Sequence, residues 1–169
     1  MRWITLGMLV AGSLLLAGCG GSSIAGQPKL AAAGQKFLLA EEPADAIGIL
    51  EYREAEIPPA DVVLWGKIGG GKQVWSPTSA EFLLIDPTYE LEAGGHVCTS
   101  DNCPFCKGKD EKDKAQAIVS LVDGEGRVPQ VEARKLLPLA EGQMVVVRGQ
   151  AEVNSLGQLV VRAQGVYLR

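Results

Sequence analysis

The residues best suited to metal binding or redox chemistry are three cysteines and the only histidine of the chain. They fall within eleven positions: His96, Cys98, Cys103 and Cys106. Thiolate sulfur and imidazole nitrogen are preferred zinc ligands, and Cys3His is a standard tetrahedral set. In an extended segment, His96 and Cys98 project from the same face. Cys103 and Cys106 have the C-x2-C spacing that lets two thiolates bind one ion. The pattern therefore predicts one metal site, with zinc as the first choice.

Other chemistries use the same cysteines and stay open at this point. The C-x4-C-x2-C spacing also occurs in plant-type [2Fe–2S] ferredoxins, but those need a further cysteine, and residues 107–169 contain none. Copper(I) also prefers thiolates. The Cys-Pro-Phe-Cys segment resembles a glutaredoxin-type redox site, but no βαβ unit precedes it. A disulfide with one spare thiol would instead staple the loop without a metal.

The fourth cysteine, Cys19, comes directly after a segment typical of exported proteins. Residues 1–18 carry Arg2 and then an apolar run that is short for a transmembrane helix, as in a signal peptide. Leu16-Ala17-Gly18-Cys19 resembles the lipobox of bacterial lipoproteins. That resemblance implies that Cys19 carries acyl chains such as palmitate, which anchor the protein in a membrane of the cell envelope. The domain would then face the periplasm or the exterior.

Length and composition restrict the domain organisation and the possible functions of the chain after the anchor. Residues 19–36 are rich in Gly, Ser and Ala, which predicts a flexible tether. Residues 37–169 are enough for a single domain. The chain has a formal charge of -4 and only 5% aromatic residues, so it lacks the basic surface that nucleic acid binding requires. No Ser-His-Asp set is available if the sole histidine is a ligand, and we expect no enzyme.

The elements that must position the cysteines are mostly strands. A helix is predicted to begin at Glu42-Pro43, with Pro43 in its first position, and to end at Pro58-Pro59. Alternating and continuous apolar runs then predict five strands. A short helix is predicted over residues 131–137. The predicted strands cover residues 62–68, 80–86, 115–123, 144–153 and 159–168.

This order of three strands, a short helix and two strands resembles the OB-fold, a five-stranded Greek-key barrel. The resemblance covers residues 60–168. The segments 63–69, 145–151 and 163–168 resemble small bacterial OB-fold lipoproteins of unknown role. The expected fold is therefore mainly β, with an N-terminal helix, a short helix between the third and fourth strands and a long Cys-rich loop between the second and third. That loop, residues 87–114, has no clear periodicity and exceeds the usual loop length, which is typical of functional loops.

These features together predict a lipid-anchored, extracytoplasmic OB-fold binding module with a metal site in a long loop. The alternatives are a redox or electron-transfer protein using the same loop, and a disulfide-stapled interaction module without metal. The expected partners are a membrane, reached through the lipid on Cys19, and a protein that the sequence does not identify.

Overall fold

A computed structural model describes residues 32–55, 60–92 and 109–169 of the chain. Its strands are β1 (Asp61–Ile68), β2 (Glu81–Ile85), β3 (Gln116–Leu121), β4 (Met144–Val153) and β5 (Leu159–Leu168). Its α-helices are α1 (Ile49–Glu54), α2 (Pro87–Glu92), α3 (Lys109–Lys114) and α4 (Ala133–Leu136), and a 3-10 turn covers Gln35–Phe37.

The five strands close into a barrel in the order β1-β2-β3-β5-β4, with β4 returning to β1. All neighbours are antiparallel except β3 and β5, which run parallel. Lys67 lies where β1 passes from one neighbour to the other, because it pairs with both Ile85 of β2 and Met144 of β4. The predicted mainly-β, OB-like barrel is confirmed.

Strand alternation fills the barrel with apolar side chains. In β1, Val62, Leu64 and Ile68 are buried, whereas Trp65 and Lys67 between them are half-buried. Burying one such aliphatic side chain contributes about 1.5–3 kcal/mol. Every strand supplies inward residues to this cluster, so the described strands form a shared barrel core.

The N-terminal segment covers backbone edges that the strands leave open. Leu39 donates its N–H to the carbonyl of Val166 in β5 at 2.9 Å. Ile47 bonds in both directions with β1, through the carbonyl of Val63 and the N–H of Trp65, each at 3.0 Å. Unpaired strand edges are sites of unwanted pairing with other chains, so this segment protects the barrel.

The prediction for this segment was wrong in its extent. The helix begins at Ile49, not at Glu42-Pro43, and the residues before it are irregular. Asp45 has a φ of 59°, which is incompatible with a right-handed helix, and Ile47 is engaged in pairing with β1. Tertiary pairing therefore overrides the helical spacing that the apolar residues suggested. Pro58-Pro59 lies outside the described residues.

The predicted loop 87–114 is shorter than expected, because each end of it is helical. α2 follows β2 directly, and α3 leads into β3. The mixed-charge sequence of α3 gave no apolar stripe from which a helix could be predicted. Strand and helix bounds elsewhere agree with the prediction within two residues, and those of β4 and β5 agree fully.

Candidate functional site

The predicted ligands and the predicted lipidation site lie outside the described residues. Cys19 falls in residues 1–31, and His96, Cys98, Cys103 and Cys106 fall in residues 93–108. What the structure describes is the stem of the loop, meaning α2, α3 and the strand ends from which they extend. The geometry of this stem determines where the chain leaves the barrel and where it returns.

The two ends of the loop are held side by side. Ile85 and Gln116 form the last pair of the β2–β3 ladder. One residue further out, Asp86 donates its N–H to the carbonyl of Ala115 at 2.8 Å. Neighbouring strands lie about 5 Å apart, so the loop begins and ends at one rung of the sheet. The stem therefore brings the residues before and after the cysteines together.

Asp86 is the central polar residue of the stem and is only 1% exposed. Its Oδ1 accepts the backbone N–H of Thr88 at 2.9 Å and the Thr88 hydroxyl at 2.6 Å. Its Oδ2 accepts the backbone N–H of Leu50 at 2.9 Å. Thr88 and Leu50 are each the second residue of a helix, α2 and α1, so one carboxylate caps the N-termini of both helices.

The glycine before α1 leaves room for this carboxylate. Gly48 precedes Ile49 and supplies no side-chain cap of its own. A Cβ atom on Gly48 would lie 2.8 Å from Oδ2 of Asp86, closer than such atoms normally approach. Its φ of -71° is available to every residue, so only the proximity of Asp86 requires glycine here.

Apolar packing supports the capping bonds. Ile85, Tyr89 and Ala115 are buried together, and Leu50 of α1 packs against them. We call these four residues the stem cluster. It is separate from the barrel core, and it joins β2, α2, the start of β3 and α1. The described part of the stem is thus both packed and hydrogen-bonded.

A cationic side chain lies beside the stem. Arg53 of α1 donates from Nη2 to the carbonyl of Gly157 at 3.5 Å, while its buried Nε has no hydrogen-bond partner among the described residues. Burial lowers the pKa of Arg53, and the nearby Asp113 of α3 and Tyr52 act in the opposite direction. Burial raises the pKa of Tyr52, with Arg53 opposing. The guanidinium therefore joins α1 electrostatically to the returning end of the loop.

Two tryptophans that could have lined a ligand face are packed against other side chains. The guanidinium of Arg134 lies 4.9 Å from the ring centre of Trp75, and the ring of Phe82 lies 6.0 Å away. Arg169 lies 5.6 Å from the ring centre of Trp65. Trp75 still borders an open cleft of about 290 Å³ on the β2–β3 side of the barrel. Both tryptophans therefore serve in side-chain packing.

Sequence reasoning missed two polar groups. Asp86 was included only as the last residue of the predicted strand 80–86, although Asp-Pro-Thr is typical of a helix start with proline in the first position. Glu81 was not singled out, yet its carboxylate accepts the hydroxyls of Ser79 at 2.6 Å and Ser120 at 2.8 Å. Glu81 and Ser120 are cross-strand partners, and no short sequence signal indicates such a pair.

No protein-family model matches the sequence, and no curated protein matches it. Within residues 32–55, 60–92 and 109–169, no three His, Cys, Asp or Glu side chains form a metal-binding group. None of the helices in these ranges has the length and apolar character needed to span a bilayer.

Proposed function

We propose that the protein is a lipid-anchored, extracytoplasmic binding module of the OB type whose β2–β3 loop holds one metal ion, zinc before copper(I) or an iron–sulfur cluster. The observation that carries the proposal is the concentration of three thiols and the sole imidazole of the chain in one loop. The proposed ligands are His96, Cys98, Cys103 and Cys106.

The chemistry of the donor set fits a zinc ion. Three thiolates and one imidazole complete a tetrahedral shell, which is the arrangement of a structural site and leaves no open position for catalysis. Lys107 and Lys109 follow the last cysteine in the sequence and would offset part of the negative charge of three thiolates. Support also comes from the stem, because ends held at one rung reduce the chain entropy that ion binding must overcome.

Metal analysis of protein purified without chelator tests the proposal. We expect about one zinc per chain, and Cys103→Ser or Cys106→Ser should remove most of it, since ligand loss opens the tetrahedral shell. His96→Ala should weaken binding less if water takes its place. Asn102→Ser is the matched control, a change in the same segment without a donor of the proposed set. Affinity should fall at low pH, because the ligands must be deprotonated.

The same sample distinguishes the alternative functions. An iron–sulfur cluster would be brown and a zinc site colourless. A protein whose loop cysteines form a redox dithiol or a disulfide would hold no metal. Its intact mass would be lower by two hydrogen atoms when oxidised than when reduced. A metal-free protein with a stable disulfide among Cys98, Cys103 and Cys106 would overturn the metal proposal and leave a stapled or redox-active loop.

The anchor is tested separately at Cys19. Cys19→Ser should leave the protein unacylated and move it from the membrane fraction to the soluble or precursor fraction, because the thiol carries the lipid. Cys103→Ser serves as the control, because it removes a thiol without touching the lipobox and should stay acylated. Membrane retention of the Cys19 variant, together with a wild type that takes up no acyl label, would contradict the lipoprotein proposal.

A further inference from the structure

Asp86 connects three segments that are far apart in the sequence. Its Oδ1 caps α2 at the start of the loop, its Oδ2 caps α1, and its own N–H bonds to the residue that follows α3. The N-terminus of a helix carries partial positive charge, so one carboxylate stabilises two such ends at once. For α1 no side chain at the N-cap position does the same, since Gly48 makes no side-chain cap.

α1 is itself fixed to the barrel. Ile49 and Tyr52 of α1 belong to the barrel core, and Ile47 just before it pairs with β1. The bond from Leu50 to Asp86 therefore links a rigid part of the molecule to the first helix of the loop. A bond of this kind acts in both directions, because ordering either partner favours the other.

We propose that Asp86 is the positioning residue that couples the state of the Cys/His loop to α1. Ion binding at the loop and the capping of α1 by Asp86 then depend on each other through one carboxylate. This inference rests on the proposed metal function and adds its regulation. A helix cap typically changes a local equilibrium by a factor of about 5 to 10, which sets the size of the effects to be measured.

The test follows two quantities in the purified protein held in detergent micelles. One is zinc affinity, measured by competition with a chelator. The other is hydrogen exchange at the Leu50 amide, which reports its bond to Asp86 directly. The amides of Leu64 and Val147, which face each other in the barrel, serve as internal references for global stability.

In the wild type, zinc should slow Leu50 exchange about 10-fold, and in Asp86→Ala this response should shrink to less than about twofold. Zinc affinity should fall by a similar factor of about 10 in that variant, because coupling is reciprocal. Asp86→Asn has a single carbonyl oxygen and can cap only one of the two helices, so its losses should be intermediate. Asp123→Asn, a carboxylate at the far end of β3 that also accepts two backbone amides, should change neither quantity.

Two results distinguish a failure of the Asp86 coupling from a failure of the proposed metal function. If the wild type binds zinc but Leu50 exchange does not respond, the coupling is wrong and the metal proposal stands. If the wild type binds no zinc, both are wrong. If Asp86→Ala loses protection at Leu64, Gly48→Ala decides instead, because a Cβ there would lie 2.8 Å from Oδ2 and displace the carboxylate from α1. A Gly48→Ala variant with an intact barrel and unchanged zinc affinity would overturn the coupling.

Discussion

Two connections extend from the same end of the barrel and are built in opposite ways. The β4–β5 turn, residues 154–158, is organised by Asn154, whose Oδ1 accepts the amides of Leu156 and Gln158 at 3.0 Å each. The β2–β3 connection is organised by Asp86, whose Oδ2 accepts an amide 36 residues away in the sequence. Arg53, near the second connection, donates to Gly157 in the first, so the two are neighbours.

The contrast shows which part of the molecule can change state alone. The β4–β5 turn belongs to the longest ladder of the barrel and cannot open without fraying it. Among its described residues, the β2–β3 connection has a cluster of three buried residues and a few capping bonds. Segments with few buried apolar contacts open at a lower free energy than the global unfolding reaction. We therefore expect the stem to open locally while the barrel stays closed.

The largest effect should come from comparing truncations in the two cores. Leu64→Ala removes a fully buried barrel side chain and should lower the free energy of unfolding by about 2–5 kcal/mol. Tyr89→Ala, in the stem cluster, should lower it by no more than about 2 kcal/mol, because the stem can open separately. Urea denaturation measures both. Equal losses would break the comparison, since they would make stem and barrel one cooperative unit.

The next largest loss of stability should come from filling the space beside the Asp86 carboxylate. Gly48→Ala would place a Cβ 2.8 Å from Oδ2 and should cost about 1–2 kcal/mol, because the carboxylate must shift away from α1. Gly124→Ala is the matched control, since a Cβ there meets nothing within 4 Å and the backbone is not in the left-handed region. Thermal unfolding of both variants checks the difference. A Gly48 variant as stable as the control would mean that the double cap contributes little.

The two connections also show which parts of the structure could be predicted from the sequence. The bounds Met144–Val153 and Leu159–Leu168 could be predicted because alternating residues and an Asn/Gly turn carry that information locally. The extent of α1 could not, because Ile47 pairs with a strand that begins fourteen residues later. The cysteine pattern indicated the chemistry of the loop, but its ligand set stays a prediction. The capping of α1 by Asp86 could not be predicted, because the partner amide, that of Leu50, is 36 residues away in the sequence.

A smaller effect is expected in the β4–β5 turn itself. Asn154→Ala removes the acceptor of two backbone amides in an exposed turn where water can replace it, so the cost should be about 0.5–1.5 kcal/mol. The register of β4 and β5 should persist, because their inward apolar residues specify it. Ser155→Ala is the control, a substitution in the same turn that leaves the Asn154 acceptor in place. A shifted set of cross-strand contacts in NMR spectra would show that the turn, not the strands, sets the register.

The smallest effect is a pH dependence at the far end of β3, where Asp123 organises a turn as a half-buried counterpart of Asp86. Its Oδ1 accepts the amides of Arg127 and Glu125 at 2.9 Å each, and the Arg127 side chain pairs with Oδ2. The bond from the Arg127 backbone is the main cause that lowers the pKa of Asp123, with smaller contributions from Glu125 and the Arg127 charge.

A carboxyl whose pKa is lower in the folded than in the unfolded state stabilises the fold above its unfolded pKa. That contribution is lost as the pH falls through the folded value. The 123–127 turn should therefore hold its structure at neutral pH and loosen only below about pH 4. NMR titration of the Gly126 amide, which donates to the Asp123 carbonyl at 2.8 Å, follows this change. Asp123→Asn should abolish the titration, and a midpoint above the ordinary range for aspartate would contradict the assigned cause.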